Sequence, residues 1–89
     1  MVKQIVWHES RGKIDAHGDC DDTGIEDINH CKAFGITQYH RKTFYYHAKL
    51  AKLDHAKWQS PEDQLLLLRW ALKTGRGREW TGYRQLFIF

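Results

Sequence analysis

Hydrophobic positions recur at helical spacing in three places along the chain. Val2, Ile5, Val6 and Glu9 share one face of a short helix, which Gly12 and the turn-forming residues after it bring to an end. A second helix is predicted over 41–53, where Phe44, Ala48 and Ala51 mark the buried face and Leu50 lies beside them. The third helix is the clearest. Ser60 stands as its N-cap and Pro61 at its first position. Glu62 and Asp63 fill the first turn, where negative charge complements the positive end of the helix dipole. Residues 65–68, then Trp70, Ala71 and Leu72, are apolar nearly all round, which marks this helix as central and buried. Gly75 sits where a C-terminal glycine cap is expected.

Residues 13–32 break this pattern. They are polar and rich in Asp, with Gly18 and Gly24, and read as a long ordered loop or a short β-hairpin. A loop of that length in a small domain calls for a function, a crosslink or a metal. The tail, 76–89, is irregular and closes on Leu86-Phe87-Ile88-Phe89, an apolar end that must dock. The pattern as a whole predicts a mainly α domain. At 89 residues it is a single domain, burying roughly 60–65% of the surface its unfolded chain exposes. Four Trp, four Tyr and four Phe let so few residues build a core, and Trp7, Trp58 and Trp70 are assigned to it.

Charge changes the picture little. The formal net charge is +3, with Lys and Arg scattered among Asp, Glu and His, so the surface reads as mixed and solvated. That balance suits a polyanionic partner such as nucleic acid or the bacterial wall without demanding one. No stretch reaches the ~18 consecutive apolar residues of a membrane span, and Met1-Val2-Lys3-Gln4 does not lead into the apolar core of a signal peptide. Because apolar periodicity begins almost at Met1, the chain reads as a domain truncated at its N-terminus or exported by another route.

Trp7-His8-Glu9-Ser10-Arg11-Gly12 places one carboxylic acid at the end of an apolar helix face. Partial desolvation there disfavours the charged form, the condition a glycosidase acid needs. Glu9-Ser10-Arg11-Gly12 resembles the Glu-Ser-Gly-Gly or Glu-Ser-Arg-Gly signature of lytic transglycosylases and goose-type lysozymes. Ala33-Phe34-Gly35-Ile36-Thr37-Gln38, followed by Thr43-Phe44, resembles their second motif, with Thr37 where an apolar residue is usual. Ser60-Pro61-Glu62-Asp63-Gln64 resembles the start of a later helix in these families, and Trp80 and Tyr83 their closing aromatic segment. The four elements keep the family's order across residues 5–83. No copy of its Ala-Tyr-Asn stretch is found, and the insertion at 13–32 is long.

The resemblance implies a small, mainly α, lysozyme-like helical domain. It implies an enzyme that cleaves the MurNAc–GlcNAc β-1,4 bond of peptidoglycan with Glu9 as catalytic acid and no cofactor or metal. In lytic transglycosylation the same Glu then acts as base while the sugar's C6 hydroxyl closes a 1,6-anhydro ring. Ser10, Gly35, Gln38, Tyr39 and Tyr83 are the expected substrate-side residues. A hydrolase would need a second carboxylate, about 5–5.5 Å away for retention or 6.5–9.5 Å for inversion, and Asp15, Asp19, Asp21 and Asp22 are the candidates. The implied partner is the peptidoglycan glycan strand, met by a monomer outside the cytoplasm: periplasmic, secreted or phage-delivered.

Other readings remain open at this level. Cys20 and Cys31 close a short loop if joined as a disulfide, which suits an extracytoplasmic enzyme. Free thiols are the plain alternative. Zinc held with His17 and His30 is another, although the paired spacing of a zinc finger is absent. A non-catalytic module binding nucleic acid or cell wall would use Arg41, Lys42, Lys49 and Lys52 with Tyr45 and Tyr46 between them. No nucleic-acid fingerprint is present, so this reading ranks below the enzyme.

Overall fold

A computed structural model describes residues 2–25, 27–77 and 80. Helix α1 (Val2–Ser10) leads into strands β1 (His17–Cys20), β2 (Cys31–Phe34) and β3 (Tyr39–His40), followed by helices α2 (Arg41–Leu50) and α3 (Pro61–Lys73). The strands form one antiparallel sheet in the order β1-β2-β3, with Cys20 opposite Cys31, Gly18 opposite Ala33, and Phe34 opposite Tyr39. The expectation of a mainly α, lysozyme-like helical domain is therefore corrected: a three-stranded sheet stands between the first and second helices. β1 escapes pattern reading because His-Gly-Asp-Cys buries no face. It is held by pairing to β2 and by the Cys20–Cys31 disulfide across the register. Closing that 11-residue separation restricts the unfolded chain by about 3 kcal/mol in the loop-entropy account. With both sulfurs bonded to each other, neither can serve zinc as a thiolate.

The helix ends follow local chemistry. Ser60 Oγ accepts the Asp63 N–H at 3.2 Å, Pro61 opens α3, and Gly75 follows its end at φ +80°. The Arg76 N–H then reaches back to the Ala71 carbonyl at 2.7 Å, closing a left-handed cap. α2 ends the same way but earlier than its apolar spacing predicts. Lys52 takes φ +59°, and the Leu53 N–H bonds the Ala48 carbonyl at 2.8 Å. α1 stops where Arg11 and Gly12 both turn left-handed.

Ile5, Phe44, Leu67, Leu68 and Ala71 are fully buried where the three helices meet. Phe34 and Trp58 join them edge to face, centroids 5.7 Å apart. Tyr39 fills the centre, perpendicular to Phe44 and to Trp80 at 5.5 and 4.8 Å. Two sequence expectations are corrected here. Trp7 is 61% exposed, since α1 presents Val2, Ile5 and Val6 inward and leaves Trp7 off that face with the Arg11 guanidinium over its ring. α3 is not buried all round, because Leu66 faces solvent at 48%, as does Leu50 on α2 at 41%. The tail at 81–89, with its apolar end, lies outside the described residues.

The radius of gyration is 12.5 Å, close to the ~12 Å expected of one globule of this length. Among the described residues, no helix is long and apolar enough to cross a membrane. Leu68→Ala is expected to cost about 2–5 kcal/mol in denaturant unfolding, by opening a cavity where the helices meet. Ser60→Ala should cost about 1 kcal/mol through the lost cap. Equal midpoints for Leu68→Ala and the parent protein would refute this placing of the core.

Candidate functional site

Glu9 occupies the last turn of α1, on the face that carries Val2, Ile5 and Val6 inward. Its side chain is only 17% exposed, and His8 Nδ1 lies 3.7 Å from its Oε1. The next residue fixes where this helix end sits. Ser10 is buried; its Oγ donates to the Ile36 carbonyl at 2.6 Å and accepts the Gly12 N–H at 3.1 Å. α1 is thereby fastened to the turn at 35–38, which joins β2 to β3 and carries Gly35 and Gln38. The stretches around Glu9 and around Gln38, far apart in sequence, meet at this bond.

The turn itself is clamped by a buried amide from α3. Gln64 Oε1 accepts the Thr37 N–H at 3.1 Å and the Thr37 hydroxyl at 2.7 Å, while its Nε2 donates to the Phe34 and Trp58 carbonyls at 2.8 and 2.6 Å. Trp80 Nε1 holds the Thr37 carbonyl from the other side at 2.9 Å. Gly35 is required here for two reasons. Its φ is +87°, and a Cβ would stand 2.5 Å from Gln64 Nε2. Thr37, though polar, is fully buried because Gln64 satisfies it.

Gln38 adopts φ +54° and spends both Nε2 hydrogens on the Ala16 and Gly35 carbonyls, each at 2.9 Å. It ties the entry of β1 to the turn, and Gly18 leaves the space its Oε1 occupies. Gln38 also lines a cavity of about 160 Å³ with His40, Thr43 and Trp80. Tyr39, expected to face sugar, is a core ring at 1% exposure whose hydroxyl shares a 2.7 Å hydrogen bond with His47 Nδ1. Tyr83 lies outside the described residues.

The four candidate second carboxylates are all exposed. Asp19 pairs with His40 Nε2 at 2.6 Å, and Asp21 Oδ1 accepts the Thr23 N–H and hydroxyl. Those Thr23 hydrogen bonds hold Asp21 below the usual carboxylate range. Both line a larger cavity, about 740 Å³, between the hairpin and the start of α2; Glu9 lines neither cavity. Among the described residues, no group of three or more His, Cys, Asp or Glu side chains converges as a metal site.

Two residues that matter to this geometry were given no role by the sequence: Gln64 and His47. Each had a signal. Gln64 precedes Leu67, Leu68 and Ala71 on one helical stripe, and His47 lies with Phe44, Ala48 and Ala51 on another. A polar residue on a buried stripe must be satisfied internally, so it ties elements together.

Comparison with known proteins finds no matching family model, no similar curated protein and no similar solved structure.

Removing the clamp should be costly. Gln64→Leu keeps the volume but orphans buried donors and acceptors at Thr37, Phe34 and Trp58, and is expected to destabilise by about 3–5 kcal/mol in urea unfolding. A loss below about 1 kcal/mol would show that the network does not hold the turn.

The hairpin loop carries a titratable pair as well. Asp27 Oδ1 lies 2.7 Å from His30 Nδ1 and also accepts the Asn29 N–H. The His30 hydrogen bond holds Asp27 low, and the same bond raises His30. His30, raised when folded, contributes stability that is complete below its ordinary value of 6.5 and lost as pH climbs through the folded value. Asp27, lowered, contributes stability that is complete above 3.8 and lost as pH falls through its folded value. The pair therefore helps most between these two limits. In Asp27→Asn, the His30 NMR titration should move down toward the ordinary imidazole value. An unmoved His30 titration would mean that the pair is not formed in solution.

Proposed function

We propose that this protein cleaves the glycan strand of peptidoglycan at the MurNAc–GlcNAc β-1,4 bond by lytic transglycosylation, with Glu9 as its catalytic residue. The observation that carries the reading is the Ser10–Ile36 hydrogen bond at 2.6 Å. It brings the helix end bearing Glu9 against the turn bearing Gln38, so the two stretches that resemble lytic transglycosylases adjoin in space. Motif resemblance and contact are independent observations that support one site.

In this mechanism Glu9 donates its proton to the bridging oxygen as the C1–O bond breaks, and GlcNAc leaves with a free hydroxyl. The C6 hydroxyl of MurNAc attacks C1 from within the same sugar. The Glu9 carboxylate takes the hydroxyl proton, which returns it to its starting state. Atoms balance without water, a second carboxylate, metal or cofactor. The low exposure of Glu9, 17%, suits a proton donor that must face substrate rather than bulk solvent. We place the activity outside the cytoplasm, because the Cys20–Cys31 bond belongs to an oxidising compartment.

Glu9→Gln keeps the side chain's size but cannot supply the proton. Wall-degrading activity is expected to fall about a hundred- to ten-thousand-fold with folding intact. Asp19→Asn and Asp21→Asn should lose far less, and mass analysis of digested peptidoglycan should show 1,6-anhydro muropeptides. Undiminished activity in Glu9→Gln would sink the assignment. Reducing ends, with one of those Asp residues essential, would make the enzyme a hydrolase of the lysozyme type.

A further inference from the structure

The larger cavity has a charge arrangement that the glycan reading does not use. Its wall draws Lys32 from β2 and Arg41 and Lys42 from the first turn of α2. It also contains two carboxylates, Asp19 and Asp21, and both are already engaged. Asp19 lies 2.6 Å from His40, and Asp21 is held by Thr23. Among the described residues, no ion pair engages Lys32, Arg41 or Lys42. Each carboxylate of the wall thus has a hydrogen-bond partner within the fold, Asp21 keeping its charge, while the three cations that line the cavity have no ion-pair partner among the described residues.

Shape and position narrow the occupant. About 740 Å³ is ample for several residues of an extended chain. The wall is not purely polar: Ile28 and Trp58 contribute apolar surface, and the Arg41 guanidinium sits 5.9 Å over the Trp58 ring, which restrains its planar fork. Cations gathered around one mixed cavity fit carboxylates carried on a peptide better than the evenly spaced phosphates of a nucleic acid. His40 and Thr43 line both this cavity and the smaller one that Gln38 lines, so the two adjoin where β3 runs into α2.

We propose that the cavity between the hairpin and the start of α2 seats the carboxylate-bearing peptide attached to the glycan, with Lys32, Arg41 and Lys42 meeting its acidic groups. This rests on the peptidoglycan reading and extends it. The enzyme would select strands that still carry their peptides over bare glycan, and added salt would weaken the selection.

The test compares kcat/KM for peptide-bearing strands with that for strands stripped of peptide by an amidase. The wild type should favour the former. The triple variant Lys32→Gln/Arg41→Gln/Lys42→Gln should lower that ratio about tenfold. Lys32→Gln/Lys42→Gln, which keeps Arg41 packed on Trp58, should lower it about threefold, so a folding defect in the triple variant would not obscure the result. A wild type that cleaves both substrates equally, or variants that keep the wild-type ratio, would overturn the peptide site while the glycosidase reading stands. If the wild type cleaves neither substrate, the glycosidase reading fails and a binding arm decides the cavity. A synthetic acidic tetrapeptide containing D-glutamate should shift the amide resonances of Lys32, Arg41 and Lys42 in the wild type and not those of the Lys32→Gln/Lys42→Gln variant. No shift, or shifts by a duplex oligonucleotide alone, would overturn it.

Discussion

One buried amide sets the geometry on which the site depends. Gln64 has two hydrogens and two acceptor positions, and the fold uses all four, on Thr37 twice, on Phe34 and on Trp58. These partners belong to the end of β2, the turn after it and the segment before α3. No apolar side chain could hold them in register, because a buried turn leaves backbone groups that need hydrogen-bond partners. Gly35 is the complement of this arrangement, since any larger residue would occupy the volume of the amide. Once Thr37 is held, the Ile36 carbonyl is in place for Ser10, and Ser10 in turn sets where the α1 terminus ends.

That chain of dependence explains how a small core supports a defined site. The three helices supply most of the buried apolar surface, with Leu67, Leu68 and Phe44 fully enclosed. Of the strands, β2 and β3 add Phe34 and Tyr39 to this core, while β1 buries no residue. β1 is pinned by ladder bonds, by the disulfide and by Gln38 reaching to the Ala16 carbonyl. The hairpin can therefore stay polar, which leaves its surface free for charge. Glu9 sits at the end of α1, where burial comes from the helical core. The cations Lys32, Arg41 and Lys42 sit where the sheet meets α2, beside carboxylates hydrogen-bonded to His40 and Thr23. Bond cleavage and substrate selection, as proposed, thus draw on separate parts of one continuous surface.

Much of the helical framework was legible in the sequence alone. Ser60, Pro61 and Gly75 bracket α3 because capping and left-handed backbone are decided by neighbouring residues. The buried stripe of Phe44 and Ala48 followed from a 3.6-residue period, and the end of α1 from Gly12. Of the candidate chemistry, the sequence placed an acid near a helix end, and Glu9 does stand in the last turn of α1. What the tertiary structure alone decided was everything that needs a distant partner. The sheet is held by pairing across a ten-residue loop, so His-Gly-Asp-Cys carries no alternation to read. The burial of Gln64, Thr37 and His47 depends on partners elsewhere in the chain, as does the exposure of Trp7 on the unpartnered side of α1. Tyr39 became core rather than surface because Phe44, His47 and Trp80 close around it. Local preference is set by a residue and its near neighbours along the chain. Burial and satisfied polarity are set by what folding brings against them, and the bond from Ser10 at the end of α1 to the Ile36 carbonyl is of that second kind.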